Sequence, residues 1–363
     1  MILQEERKER ATASTAAYWL AMRDHAYRLF SALHSLWPQS CCVHKHNVNL
    51  RVDPPISDEF HESLAITRLC FSLEKEGSDP IGKNVTMHSS PALETNLSLQ
   101  KKKARFDLPA SSESGSSFKC PETRKIQNLC VVLAQRHHKP CLGYIHVQQW
   151  HYHAHQTREC PHSGNLIPLR AFSVGRNRAG IAPRERCLYS IMLASAVMQL
   201  FDTPWLATNW SLDDIFVDSK DIDGQLYVSK SFGEDSLAST RTRKINAFVK
   251  NQMIFALGVA LLELSYGKDI MSFLEPEDLD DSNQRNALTV YFIADRLTKE
   301  IQRIEMPRFA RAVSKCICPA SDTYDFDLTN EGYRHRFYVD VVQPLQQEYE
   351  TLFPSVSPYR AGV

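Results

Sequence analysis

With 42 Lys+Arg against 42 Asp+Glu, the 363-residue chain carries no formal net charge, which excludes the global basic footprint of a nucleic-acid-binding protein. Its 43% hydrophobic and 23% charged content is that of an ordinary soluble globular protein, with room for about two domains. Ten cysteines without regular spacing argue against a secreted disulfide framework, no apolar leader opens the chain, and no apolar run reaches the ~20 residues of a membrane span; a reducing, cytoplasmic location is expected.

Residues 5–37 read as a helix, because Tyr18, Met22, Phe30, Leu33 and Leu36 recur at helical spacing and Pro38 stops the run. Asn47, Asn49 and Arg51 alternate with His46, Val48, Leu50 and Val52, which predicts a strand with one apolar side. A second strand is expected over 62–73. Residues 75–120 are dominated by Ser, Lys, Gly, Asn and Pro, and Lys101–Lys103 falls among them as a solvated linker. So polar a stretch buries too little apolar surface to offset its ordering entropy, so a disordered, removable insertion is expected there.

A short helix over 126–136 and a strand over 141–147 come next, then a short apolar piece from Leu166 to Phe172. The strongest helix begins at Pro183, a favoured first-turn residue, with Glu185 beside it and an apolar stripe through Cys187, Ile191, Ala194 and Met198. Short strands over 214–218 and 225–229 flank a turn at 221–224. The helix from Asn251 to Tyr266 is apolar nearly all round, with Gly267 as its C-cap, so it belongs at the centre of a domain and its Glu263 needs a cationic or hydrogen-bonding partner. The rest, 286–353, is mainly amphipathic helix with an irregular stretch near 319–329.

The order of these pieces resembles a degenerate protein kinase over about residues 165–350. Pro183–Arg186 with its helix, then Asn209–Asp218, is similar to a kinase's helix E and catalytic loop. Gln225–Gly233 resembles the strand entering the Asp-Phe-Gly motif, and Phe255–Gly267 looks like the buried helix F. More closely, the chain from about Phe30 resembles an uncharacterised fungal domain that follows HeLo-like helical regions in proteins of the heterokaryon-incompatibility type. Cys42–His44, Asn128–Cys130, Leu193–Ser195, Tyr227–Ser229 and Ala256–Gly258 carry that likeness, with Thr203–Leu206 the most specific block. The resemblance implies an α+β, two-lobed kinase-like fold: 1–37 as the remnant of a helical region, 38–150 as a small sheet-containing lobe, and 165–353 as a helical lobe.

Kinase chemistry needs a carboxylate at the substrate hydroxyl, an Asn and an Asp on magnesium, and a Lys on the phosphates. On the kinase pattern, Asn209 stands at the catalytic Asp, Asp214 at the metal-binding Asn, and Ser231 before Phe232 and Gly233 replaces the second Asp. No Gly-x-Gly-x-x-Gly loop occurs. The resemblance therefore implies a non-catalytic pseudokinase-like binding or regulatory module, in fungal self/non-self or stress signalling, with an unidentified protein partner, no cofactor and no ATP binding. Asp213 and Asp214 read as residues that cap a turn; an alternative keeps them, with Asp218, in an atypical phosphotransferase or nucleotide-binding protein. A third reading is a metal-binding module: His151, His153 and His155 share one face if they lie on a strand, and Cys160 and His162 follow. That set lacks a second ligand pair and suits an exposed loop equally, so the sequence favours no metal site. Cys316 and Cys318 are expected to pack near a helix end.

Overall fold

A computed structural model describes residues 2–37, 45–52, 66–74, 81–91, 124–135, 140–156, 166–175, 181–218, 225–232, 248–319 and 325–354. The fold is mixed α+β. Among the described residues its strands are β1 (Lys45–Val52), β2 (Ile66–Glu74), β3 (Ile81–Pro91), β4 (Cys141–Val147), β5 (Trp150–Gln156), β6 (Leu166–Pro168), β7 (Ile215–Asp218) and β8 (Leu226–Phe232). They form one antiparallel sheet in the order β4-β5-β3-β2-β1-β8-β7-β6.

The sheet crosses the boundary between the two expected lobes. β1 pairs with β8 from His46 opposite Phe232 to Val52 opposite Leu226. The alternation that makes β1 a strand explains the join: Val48, Leu50 and Val52 are buried on one side, on the same face as Val228 and Phe232 of β8. Helix α1 (Ile2–Leu36) lies on that face. Its Phe30 ring is 5.0 Å from Phe232, and the neighbouring Trp37 stacks on His46 at 4.9 Å and meets Phe232 at 5.0 Å, so aromatic rings cover the seam. With Trp19, Leu29 and Leu33 fully buried, α1 is an integral layer of the domain.

The insertion expected over 75–120 requires correction. Residues 81–91 are strand β3, an interior member of the sheet between β2 and β5, with Val85 and Met87 buried. Two inward apolar side chains suffice because backbone pairing on both edges satisfies the polar main chain. Residues 75–80 and 92–120 lie outside the described residues. The stretch 150–156, open to a loop reading, is strand β5, joined to β4 by a two-residue turn in which Gln148 adopts φ 53.

On the helical side, α2 (Leu129–Ala134) is capped by Asn128, whose side chain accepts from the Val131 amide at 3.1 Å, and α3 (Leu169–Gly175) follows β6 directly. Helix α4 (Pro183–Leu200) is buried on every side from Tyr189 to Leu200, wider than the single stripe its sequence suggests. Its interior hydroxyls donate to their own helix, Ser190 to the Arg186 carbonyl at 2.7 Å and Ser195 to Ile191 at 2.8 Å. Asp202 at φ 52 ends the helix, and the Trp205 indole N–H then donates to the Ala26 carbonyl of α1 at 2.8 Å. Helix α5 (Gln252–Tyr266) has the caps its sequence announces: Asn251 accepts from the Ile254 amide at 3.0 Å, and Gly267 is left-handed at φ 63. Helices α6 (Thr289–Glu300) and α7 (Pro307–Ile317) pack on α5, α8 (Glu331–Phe337) packs on α1 and, after a π turn at Tyr338–Val342, α9 (Gln343–Leu352) packs on α4 and α7. Cys316 is buried at the end of α7, as expected of core packing, whereas Cys318 is exposed and donates to Asp295 at 3.2 Å.

Candidate functional site

The residues aligned with kinase motifs fall in two places. The loop between α4 and β7 carries Asn209, Asp213 and Asp214. Trp210 anchors it: the indole, 3% exposed, donates to the Met253 carbonyl at the start of α5 at 3.2 Å. Asn209 is half-buried beside it. The carboxylate of Asp214 accepts from the Ser211 amide at 2.9 Å while the Asp214 amide donates to the Ser211 carbonyl at 3.0 Å, closing a tight turn. Asp213 accepts from Arg170 Nε at 2.8 Å. Asp214 thus caps its turn, whereas the Asp213 carboxylate is held by Arg170, 43 residues earlier in the chain.

Arg170 is the residue sequence reasoning missed. It lies in the apolar piece after β6, and its Nη1 also donates to Glu263 Oε1 at 2.6 Å and to Asp269. Glu263 in turn accepts from the Ile270 amide at 2.9 Å. Burial pushes the Glu263 carboxyl above its ordinary range, against the pull of Arg170 and the Ile270 amide. Burial also opposes the Arg170 charge, and Glu263 and Asp213 more than offset it, so the guanidinium stays protonated. The cationic partner expected for Glu263 is therefore present, and the same side chain holds the loop of Asp213. The signal available was an Arg in an otherwise apolar segment facing a helix with one unexplained acid.

Ser231 and Phe232 lie on β8, while Gly233 is outside the described residues. Phe232 is buried under α1, and the Ser231 hydroxyl donates to Asn47 Oδ1 of β1 at 2.6 Å. Next to them the half-buried Lys230 has its ammonium held below the usual lysine range by burial, against the attraction of Asp214. Asp218 is buried at the end of β7.

The histidines expected to share a face do so. His151, His153 and His155 alternate on β5, opposite His146 of β4 and His88 of β3 in register. The opposite face of β5 is Tyr152 and Ala154, fully buried toward α1. Burial lowers the pKa of His88, His151, His153 and His155, and their neighbouring imidazoles add to the effect for the three on β5. Cys160 and His162 lie outside the described residues. Among the described residues no group of three or more His, Cys, Asp or Glu could hold a metal ion, and no helix is long and apolar enough to cross a membrane.

A family model described as a domain of unknown function (DUF7580) matches residues 19–351, from within α1 to within α9. No curated protein matches the chain.

Proposed function

The chain belongs to the DUF7580 family, and we propose that it is a non-catalytic, pseudokinase-like binding or regulatory module rather than a phosphotransferase. The observation that carries this reading is the fate of the polar side chains at the motif positions. Asp213 is tied to Arg170, Asp214 to the Ser211 amide and Ser231 to Asn47, each in a bond that holds the fold together. Phosphoryl transfer depends on carboxylates that hold magnesium and orient a hydroxyl; here Asn209 and Ser231 carry none, and the nearby aspartates are engaged elsewhere. The β1–β8 pairing bears only on the non-catalytic part of the reading: hydrogen-bonded strands run through the region where a kinase keeps its lobes apart, which is a departure from the two-lobed arrangement. The partner is another protein, and the self/non-self or stress setting follows from the family likeness described above.

The test is ATP turnover with magnesium, together with thermal shift by nucleotide with and without the metal. The expected result is no turnover and no magnesium-dependent shift. Turnover abolished by Asp214→Ala would overturn the reading and promote an atypical phosphotransferase that uses Asp214 beside Lys230.

A further inference from the structure

The α1 side of β5 carries polar groups that the kinase-like reading does not use. Trp150 and Tyr152 alternate with the histidines of β5, so their side chains lie on the face that packs toward α1. Tyr152 is fully buried, and its hydroxyl is shielded from solvent and has no hydrogen-bond partner. The half-buried Arg28 of α1 holds its guanidinium over the Trp150 ring, 5.1 Å from the centroid. Its Nε–H is also shielded and makes no hydrogen bond. Asp24, one turn earlier on α1, pairs with Arg23 at 3.1 Å, and among the described residues no carboxylate pairs with Arg28. The guanidinium lies near Tyr152 without bonding to its hydroxyl: burial pushes the tyrosine pKa up, and Arg28 pulls against that rise. The buried His25 ring, 5.5 Å from that of Tyr152, borders the same corner. Two neighbouring shielded donors without acceptors are uncommon and call for an explanation.

We propose that Arg28 of α1 and Tyr152 of β5, with the His25 ring beside them, form a binding site for a small oxyanion, a carboxylate or a phosphate group. A guanidinium has five N–H donors and no acceptor, and its planar fork matches the oxygens of both groups. The tyrosine hydroxyl, kept protonated by burial, adds an O–H donor. An oxyanion that takes both satisfies two orphaned donors and supplies the counter-charge that Asp24 gives to Arg23 instead. The Trp150 ring fixes the plane of the guanidinium in advance, which lowers the ordering cost of binding. Arg28 is the partly exposed member of the pair, so the anion enters along its guanidinium. Because Arg28 stands on the helix and Tyr152 on the sheet, the bound anion bridges the two, and its occupancy is read as firmer docking of α1.

The experiment follows thermal unfolding of the full chain near neutral pH at constant ionic strength. Sodium chloride is replaced stepwise by sodium sulfate, for a tetrahedral oxyanion of the phosphate class, or by sodium acetate, for a planar carboxylate. A midpoint rise that saturates is expected in at least one arm, and the arm that saturates at lower concentration identifies the class. Arg28→Gln is expected to remove the rise, and Tyr152→Phe to weaken the apparent affinity about tenfold or more. In chloride alone, Tyr152→Phe should melt no lower than the unaltered protein, since the hydroxyl it removes has no partner. A lower midpoint there would show that the hydroxyl is already bonded and would overturn the proposal. A rise that never saturates, or that is equal in the unaltered protein and both variants, is the general effect of excluded salts and would overturn it as well.

Discussion

Arg170 reaches Glu263 across 93 residues of sequence, donating Nη1 to Oε1 at 2.6 Å, and thereby ties the loop of Asp213 to the central helix α5. Glu263 is only 3% exposed, so its charge depends on that partner. Breaking a buried pair by removing one member typically costs ~3–5 kcal/mol, because the other charge is stranded. Arg170→Met is expected to destabilise by an amount in that range, and Arg170→Met with Glu263→Leu to recover much of the loss. Urea unfolding of the two variants checks this; equal losses in both would show that a stranded Glu263 charge is not what destabilises Arg170→Met.

The contact between α5 and α7 is set by a missing side chain. A Cβ added at Gly258 would lie 2.5 Å from Ile317 Cδ1 and 2.9 Å from Cys316 Cβ. The Ile317 methyl can rotate aside, but the Cys316 Cβ moves only with its backbone, so Gly258→Ala pushes the helices apart. Overpacking of this kind costs about 1–3 kcal/mol, against the ~0.5–1 kcal/mol that Ala would otherwise gain over Gly in a helix. The reverse defect, Leu262→Ala at a fully buried position, is expected to cost about 2–5 kcal/mol. Lys268→Ala, just past the helix, is the control. Melting midpoints that match the control in both variants would mean α5 is peripheral.

How far the sequence revealed this fold depends on where each signal resides. The Val48, Leu50, Val52 alternation and the Asn251 and Gly267 caps are local, and from them α5 was legible to within a residue and the end of β1 at Val52. Strand β3 was not, because Gly82, Asn84, Ser89 and Ser90 give it the composition of a linker while its stability comes from neighbours on both sides. Strand β5 was ambiguous for a related reason: its outward side is all histidine, and its inward side offers only Trp150, Tyr152 and Ala154. The Arg170 network escaped notice because its partners are 43 to 99 residues away, and no periodicity encodes such a distance.

Strand β3 supplies the third test. Deleting 81–91 would expose the facing edges of β2 and β5 and remove buried Val85 and Met87. Loss of a cooperative unfolding transition is expected. The milder Met87→Ala should cost about 2–5 kcal/mol. Removal of 93–120, polar in sequence and outside the described residues, is expected to leave the transition in place. Two deletions with the same effect would show that the sheet does not depend on its interior strand.

His25 of α1 gives stability a pH dependence of definite sign. It is 5% exposed, its ring lies 5.5 Å from that of Tyr152, and burial, aided by the positive charge of Arg28, lowers its pKa from 6.5 to about 4. The unfolded chain therefore binds a proton at this site more readily than the folded one. Above the unfolded value the group is neutral in both states and costs nothing. As pH falls from 6.5 toward 4, protonation draws the equilibrium toward the unfolded state, and below the folded value the loss is complete, at roughly 3 kcal/mol. His88, His151, His153 and His155 are also lowered and act in the same direction, so the slope of the unaltered protein alone does not isolate His25. The difference between the unaltered protein and His25→Gln does. Unfolding free energies measured between about pH 7 and pH 5 should fall more steeply for the unaltered protein than for the variant, by up to about 1.4 kcal/mol per pH unit. Parallel curves would mean that His25 titrates alike in both states, and that its packing against Tyr152 opens to solvent.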